Sequence, residues 1–109
     1  MAVSNVIVVN ELEKLEELRG SGIAVVDFWA TWCKPCRDIA PKFEELSRAY
    51  EDVKFLKCDI AYFEEDDLIE MGVMKIPAFF VYKDGKKVEE FIGNECGNAL
   101  EKYLAEGSG

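Results

Sequence analysis

Two thiols separated by two residues, Cys33 and Cys36 in the stretch WATWCKPCRDIAPKF (29–43), can hold a metal, staple a fold or exchange electrons with another molecule. A structural zinc site takes four ligands, commonly two such pairs or one pair with histidines. This chain has no histidine, and its remaining cysteines, Cys58 and Cys96, stand alone in a predicted strand and at a predicted helix start. A disulfide between Cys33 and Cys36 closes too short a loop to restrict the unfolded chain much. Redox exchange is the chemistry the pair suits best.

The flanking residues give that chemistry a setting. IAVVDFWA (23–30) is almost continuously apolar, as a strand covered on both faces requires, and after Cys33 the positions Ile39, Phe43 and Leu46 recur at helical spacing. The pair therefore sits at a strand-to-helix junction. A cysteine in the first turn of a helix meets unpaired backbone N–H groups and the positive end of the dipole, which favour thiolate over thiol. Cys33 is the expected nucleophile, and Cys36, one turn further in, the shielded resolving thiol. Pro35 restrains the segment between the sulfurs. Trp32 offers a broad apolar surface beside the nucleophile, although such a residue taken alone is more often core or edge.

Asp27 interrupts the apolar strand. It is either an edge residue or a buried carboxylate whose raised pKa lets it accept and return a proton near neutrality. Lys57 poses the same choice in VKFLKCDI, between an outward lysine and a charge compensating Asp27 inside the sheet. Pro77 in KIPAFF heads a strand, where an ordinary trans bond is the default and a cis bond the alternative.

The rest of the chain supplies the elements that position these groups. Val6 to Val9 reads as a strand, followed by a helix with Asn10 as N-cap, Glu13 in the capping-box position and Gly20 as the stop. Pro41 lies inside the second helical pattern, which it should bend. Val53 to Asp59 reads as a strand, EEDDLIEMG as a short helix, and Asp84-Gly85 as the turn of a hairpin. The last segment forms a helix capped by Asn94, with Leu100 and Leu104 on its apolar stripe. The order is β-α-β-α-β-α-β-β-α, for which a mixed β-sheet flanked by helices on both faces is the simplest burial solution.

With 109 residues, half of them hydrophobic, the chain suits one domain over 1–109, its last few residues (EGSG) a frayed tail. Thirteen basic residues against 22 acidic ones give a net charge of −9, which disfavours nucleic acid as a standing partner. No phosphate-cradling glycine pattern appears. Neither a secretory leader nor a membrane-length apolar run is expected, so a cytoplasmic location is the default.

VVDFWATWCKPC, KIPAFFVYKDG and FIG, taken in order, closely resemble the thioredoxin family, and the likeness spans essentially the whole chain. It implies the thioredoxin fold and a protein-disulfide reductase, with Cys33 attacking and Cys36 resolving. It puts Asp27 in the buried proton-transfer position, Lys57 beside it, and Pro77 on a cis peptide, reversing the trans default. Trp32, Ile60, Val73, Met74, Ile76, Ile92 and Gly93 fall around the substrate-docking surface, where the Ile76 backbone can accept an extended segment. The resemblance implies no bound cofactor; electrons come from NADPH through a flavoprotein thioredoxin reductase. Partners are protein disulfides, with no membrane.

Lys34 departs from the family's usual glycine; its charge can lower the Cys33 pKa or point outward and reshape partner choice. Cys58 is expected in the core. Cys96 is expected exposed enough for glutathionylation, or for a disulfide-linked dimer of an otherwise monomeric protein. The competing functions are a protein disulfide oxidase or isomerase, and a binding subunit in which catalysis is incidental.

Overall fold

Five strands form one sheet in the order β1-β3-β2-β4-β5 in the computed structural model, which describes residues 4–107. The strands are β1 (Val6–Val8), β2 (Ile23–Trp29), β3 (Val53–Asp59), β4 (Ala78–Lys83) and β5 (Lys86–Ile92). The helices α1 (Leu12–Arg19), α2 (Lys34–Ala49), α3 (Glu65–Met71) and α4 (Cys96–Ala105) connect or follow them, with a short 3-10 turn at Ile60–Tyr62. The element order is the expected one with that turn added. Ser108 and Gly109 of the expected tail lie outside the described residues.

β2 is the middle strand, parallel to β3 on one side and antiparallel to β4 on the other. That position explains its nearly unbroken apolar run, since both its faces are covered. Side chains alternate across the sheet. Ala24, Val26 and Phe28 face one way and pack with Leu15 of α1, Leu56, Phe80 and the half-buried Leu68 and Met71 of α3. Val25 faces the other way, with Phe55, Phe79 and Val81, against Phe43 and Leu46 of α2 and Leu100 of α4. Phe43 anchors that side, its ring 5.2 Å from Phe55 and 5.0 Å from Phe79.

The β4–β5 hairpin turns on Asp84 (φ 49°) and Gly85 (φ 86°), both left-handed as a two-residue hairpin turn requires. The Asp84 carboxylate also accepts the Gly22 N–H at 2.9 Å, tying this turn to the start of β2. Gly72 ends α3 at φ 90°, where any other residue would be strained.

The helix caps differ from expectation. Glu11, not Asn10, is the N-cap of α1, with no side-chain cap, so the capping box does not form. Asn10 instead accepts the Asp59 N–H through Oδ1 at 3.1 Å, joining the ends of the first and third strands. Glu95, not Asn94, caps α4. α2 runs as one helix through Pro41, whose exposed ring lies on the solvent side.

Candidate active site

β2 ends at Trp29 and α2 begins at Lys34, so residues 30–33 carry the chain from the sheet into the helix. Cys33 is the N-cap of α2, in an extended conformation that turns its sulfur back toward the helix. Its Sγ accepts the Cys36 N–H at 3.3 Å, the sulfur counterpart of an oxygen cap. Cys33 and Cys36 are joined by a disulfide with Cα atoms 5.3 Å apart, the oxidised form of the pair. Cys33 is 6% exposed and Cys36 2%, so the first residue of the pair is the more accessible. The approach is held by Arg37, which donates to the Thr31 carbonyl at 2.7 Å.

Around the disulfide, Ala30 is buried and Trp29, Ile60 and Ile76 pack against the pair. The Ile76–Pro77 peptide is cis. The Pro77 carbonyl accepts the Gly93 N–H at 2.9 Å, which draws the end of β5 to the start of β4. Beside the disulfide, Trp32, Ile60, Leu68, Val73, Met74, Lys75 and Ile76 line an open groove of about 420 Å³. Trp32 and Met74 are 73% and 75% exposed, a large apolar rim that none of the described residues covers. Ile92 and Gly93 lie near Pro77 but do not line the groove. Leu68 and Lys75 line it without having been anticipated; their signal was proximity in sequence to Val73 and Met74.

Asp27 is buried, and neither carboxylate oxygen has a hydrogen-bond partner among the described residues. By strand alternation it faces α2, between Val25 and Trp29. Burial pushes its pKa up to about 7, and the positive charge of Lys57 opposes the rise. Lys57 is its direct partner in the β2–β3 register and is half-buried.

Lys34 points outward, where its ammonium pairs with Asp38 at 2.9 Å on the exposed face of α2. The outward alternative is therefore the observed one. Cys58 is fully buried, as expected of a core thiol. Cys96 is not the exposed thiol expected: it is 1% exposed and packed between α4 and the sheet. The apolar stripe of α4 reaches back to its first residue, which turns the sulfur inward. Burial pushes both free thiols up to about 12, so neither is a ready nucleophile.

A disulfide at the start of a helix, a buried carboxylate in the strand that leads into it and an apolar groove alongside define a thiol–disulfide oxidoreductase that engages disulfide-bearing partners. The chain belongs to the thioredoxin family, whose family model matches residues 5–106. Thioredoxin-1 of Schizosaccharomyces pombe is 51% identical over 71 residues, 65% of this chain and 68% of the relative. Thioredoxin Asp f 28 of Aspergillus fumigatus is 41% identical over 104 residues, 95% of each chain. The solved structure of Malassezia sympodialis thioredoxin superposes with a TM-score of 0.87 at 29% identity, covering 100% of this chain and 96% of that one. Oxidised mitochondrial thioredoxin 3 from Saccharomyces cerevisiae gives 0.82 at 34% identity, covering 93% and 94%.

Proposed function

We propose that the protein reduces disulfides in partner proteins, with Cys33 as the attacking and Cys36 as the resolving thiol. The observation that carries this reading is the unequal setting of the two sulfurs: Cys33 caps α2 at the edge of the groove, and Cys36 lies behind it in the first turn. In the reduced protein, the Cys33 thiolate attacks one sulfur of a target disulfide and expels the other as a thiolate. A mixed disulfide results. Cys36 then gives its proton to the Asp27 carboxylate and attacks the Cys33 sulfur, releasing the second target thiolate. Two electrons have passed from the dithiol to the target, and the Cys33–Cys36 disulfide has formed.

Asp27 suits the proton step because its carboxyl, raised to about 7, exchanges a proton near neutrality and has no competing hydrogen bond among the described residues. The groove suits an extended segment carrying an apolar side chain next to its cystine, with Ile76 beside β4 offering backbone pairing. Electrons return from NADPH through a flavoprotein thioredoxin reductase, in a reducing compartment such as the cytoplasm. The free thiols of Cys58 and Cys96 are compatible with that setting.

Turnover of a protein disulfide, followed by NADPH consumption with a thioredoxin reductase, tests the reading. Steady reduction of the target is expected. Binding of the target without net reduction would mark a binding subunit, and net oxidation of reduced targets an oxidase.

A further inference from the structure

Lys57 and Asp27 share a face of the sheet, and Trp29 is the next β2 residue on that face, two positions beyond Asp27. The Lys57 side chain does not close onto the carboxylate opposite it. Its Nζ lies 4.5 Å from the centre of the Trp29 ring, while both Asp27 oxygens are without a hydrogen-bond partner among the described residues. The geometry is a diagonal pair across neighbouring strands, within the reach of a long side chain. Trp29 also packs against the Cys33–Cys36 cluster, so one indole touches both the disulfide's surroundings and the lysine.

We propose that Trp29 is a positioning residue whose ring holds the Lys57 ammonium within electrostatic reach of Asp27. The physical reason lies in what the ammonium would do without it. A half-buried lysine has a flexible four-carbon stem and a strongly hydrated head, and it turns to water when nothing inside retains it. A protonated Asp27 offers no charge to retain it. The aromatic face does so in either protonation state, because the attraction of a cation to the ring does not depend on the carboxyl.

Among the described residues, Lys57 is also the one charged side chain that acts on Asp27. Cys58 on β3 and Cys96 on α4 interact with the carboxyl, but with thiols pushed up to about 12 both stay neutral through the range where Asp27 titrates. Cys36 on α2 is held in the disulfide, and β4 presents Phe79 opposite Asp27. Losing the ammonium from this site would therefore leave burial unopposed and raise the pH at which Asp27 releases its proton. The consequence for catalysis rests on the reading of Asp27 as the proton acceptor for Cys36.

The oxidised protein allows the positioning to be tested apart from turnover, by carbon-detected NMR titration of the Asp27 carboxyl. Trp29→Leu is expected to shift the midpoint upward by about half a unit or more. Lys57→Met is expected to shift it in the same direction, and adding Trp29→Leu to Lys57→Met to shift it no further. An unchanged or lowered midpoint in Trp29→Leu overturns the proposal, as does an equal shift in the absence of Lys57. A readout needing no variant guards against misfolding: in the parental protein the Lys57 ε-methylene protons should show the upfield shift of groups over an aromatic face. Their appearance at ordinary lysine positions overturns the proposal. The rate of mixed-disulfide resolution against pH then tests the catalytic reading separately. If the midpoint moves and the rate profile does not, the Trp29–Lys57 arrangement stands and the role given to Asp27 falls.

Discussion

Asp27 and Lys57 stand opposite one another across the parallel β2–β3 pair, yet no hydrogen bond joins them. A carboxyl so placed has the cost of burial with only part of the compensation an ion pair would bring. Its pKa rises from 3.8 to about 7, so between these values the folded state holds a proton that the unfolded state has released. Stability therefore falls as pH rises from about 4 to about 7, by an amount on the order of 4 kcal/mol, and levels off above. Urea unfolding of the oxidised protein at pH 5 and pH 8 measures the part of the loss above pH 5, roughly 3 kcal/mol, to be compared with Asp27→Asn at both. The variant should lack most of the decline.

Asp27→Asn should also slow the resolving step. The amide keeps the shape of the side chain but accepts no proton, and a positioned base of this kind contributes roughly 100-fold or more. Because a thiol ionises to some extent unaided, a loss of about 10- to 100-fold is expected near neutral pH. Rapid quench of a preformed mixed disulfide isolates this step, and resolution at the parental rate would remove Asp27 from the mechanism.

Cys33→Ser should abolish disulfide reduction, whereas Cys36→Ser should attack and then stall as a mixed disulfide. The difference follows from Cys33 capping α2 at the groove and Cys36 lying behind it. Peptide mapping of the trapped adduct should find the partner on Cys33. An adduct through Cys58 or Cys96 would contradict both the assignment and their burial.

Met74→Ala should weaken use of protein disulfides by about tenfold in kcat/KM, the effect of losing ~1.4 kcal/mol of apolar contact. Met74 is 75% exposed on the groove rim, so little folding stability depends on it. Reduction of a small disulfide that does not fill the groove should change little. Equal losses on both substrates would mean that Met74 acts on the disulfide rather than on docking.

Cys96 should resist alkylation in the native protein and label readily in denaturant, because it is 1% exposed and its thiol is pushed up to about 12. Timed alkylation with mass spectrometry checks this. Fast native labelling of Cys96, or a disulfide-linked dimer through it, would contradict the packing.

The elements were legible where the chain's pattern is local. The apolar run over 23–30, the Asp84-Gly85 turn, the Gly72 stop and the cysteine pair at a strand-to-helix junction each carry their reason within a few residues. The caps were less legible. Asn10 looks like a helix cap, but its oxygen is taken by the Asp59 N–H, 49 positions away in sequence.

What the sequence by itself determined is the alternation that builds β2, the order of strands and helices, and the two thiols one helical turn apart. These follow from backbone periodicity and turn chemistry, which act between near neighbours. Only the tertiary structure decided that Cys96 points inward, that Lys34 pairs with Asp38, that Leu68 and Lys75 join the groove, and that Lys57 rests on Trp29 rather than on Asp27. Long-range packing sets where a side chain points and which of several partners it meets. Asp27 shows both sides: its strand was readable from its neighbours, but its lack of a partner depends on where the lysine of the adjoining strand directs its charge.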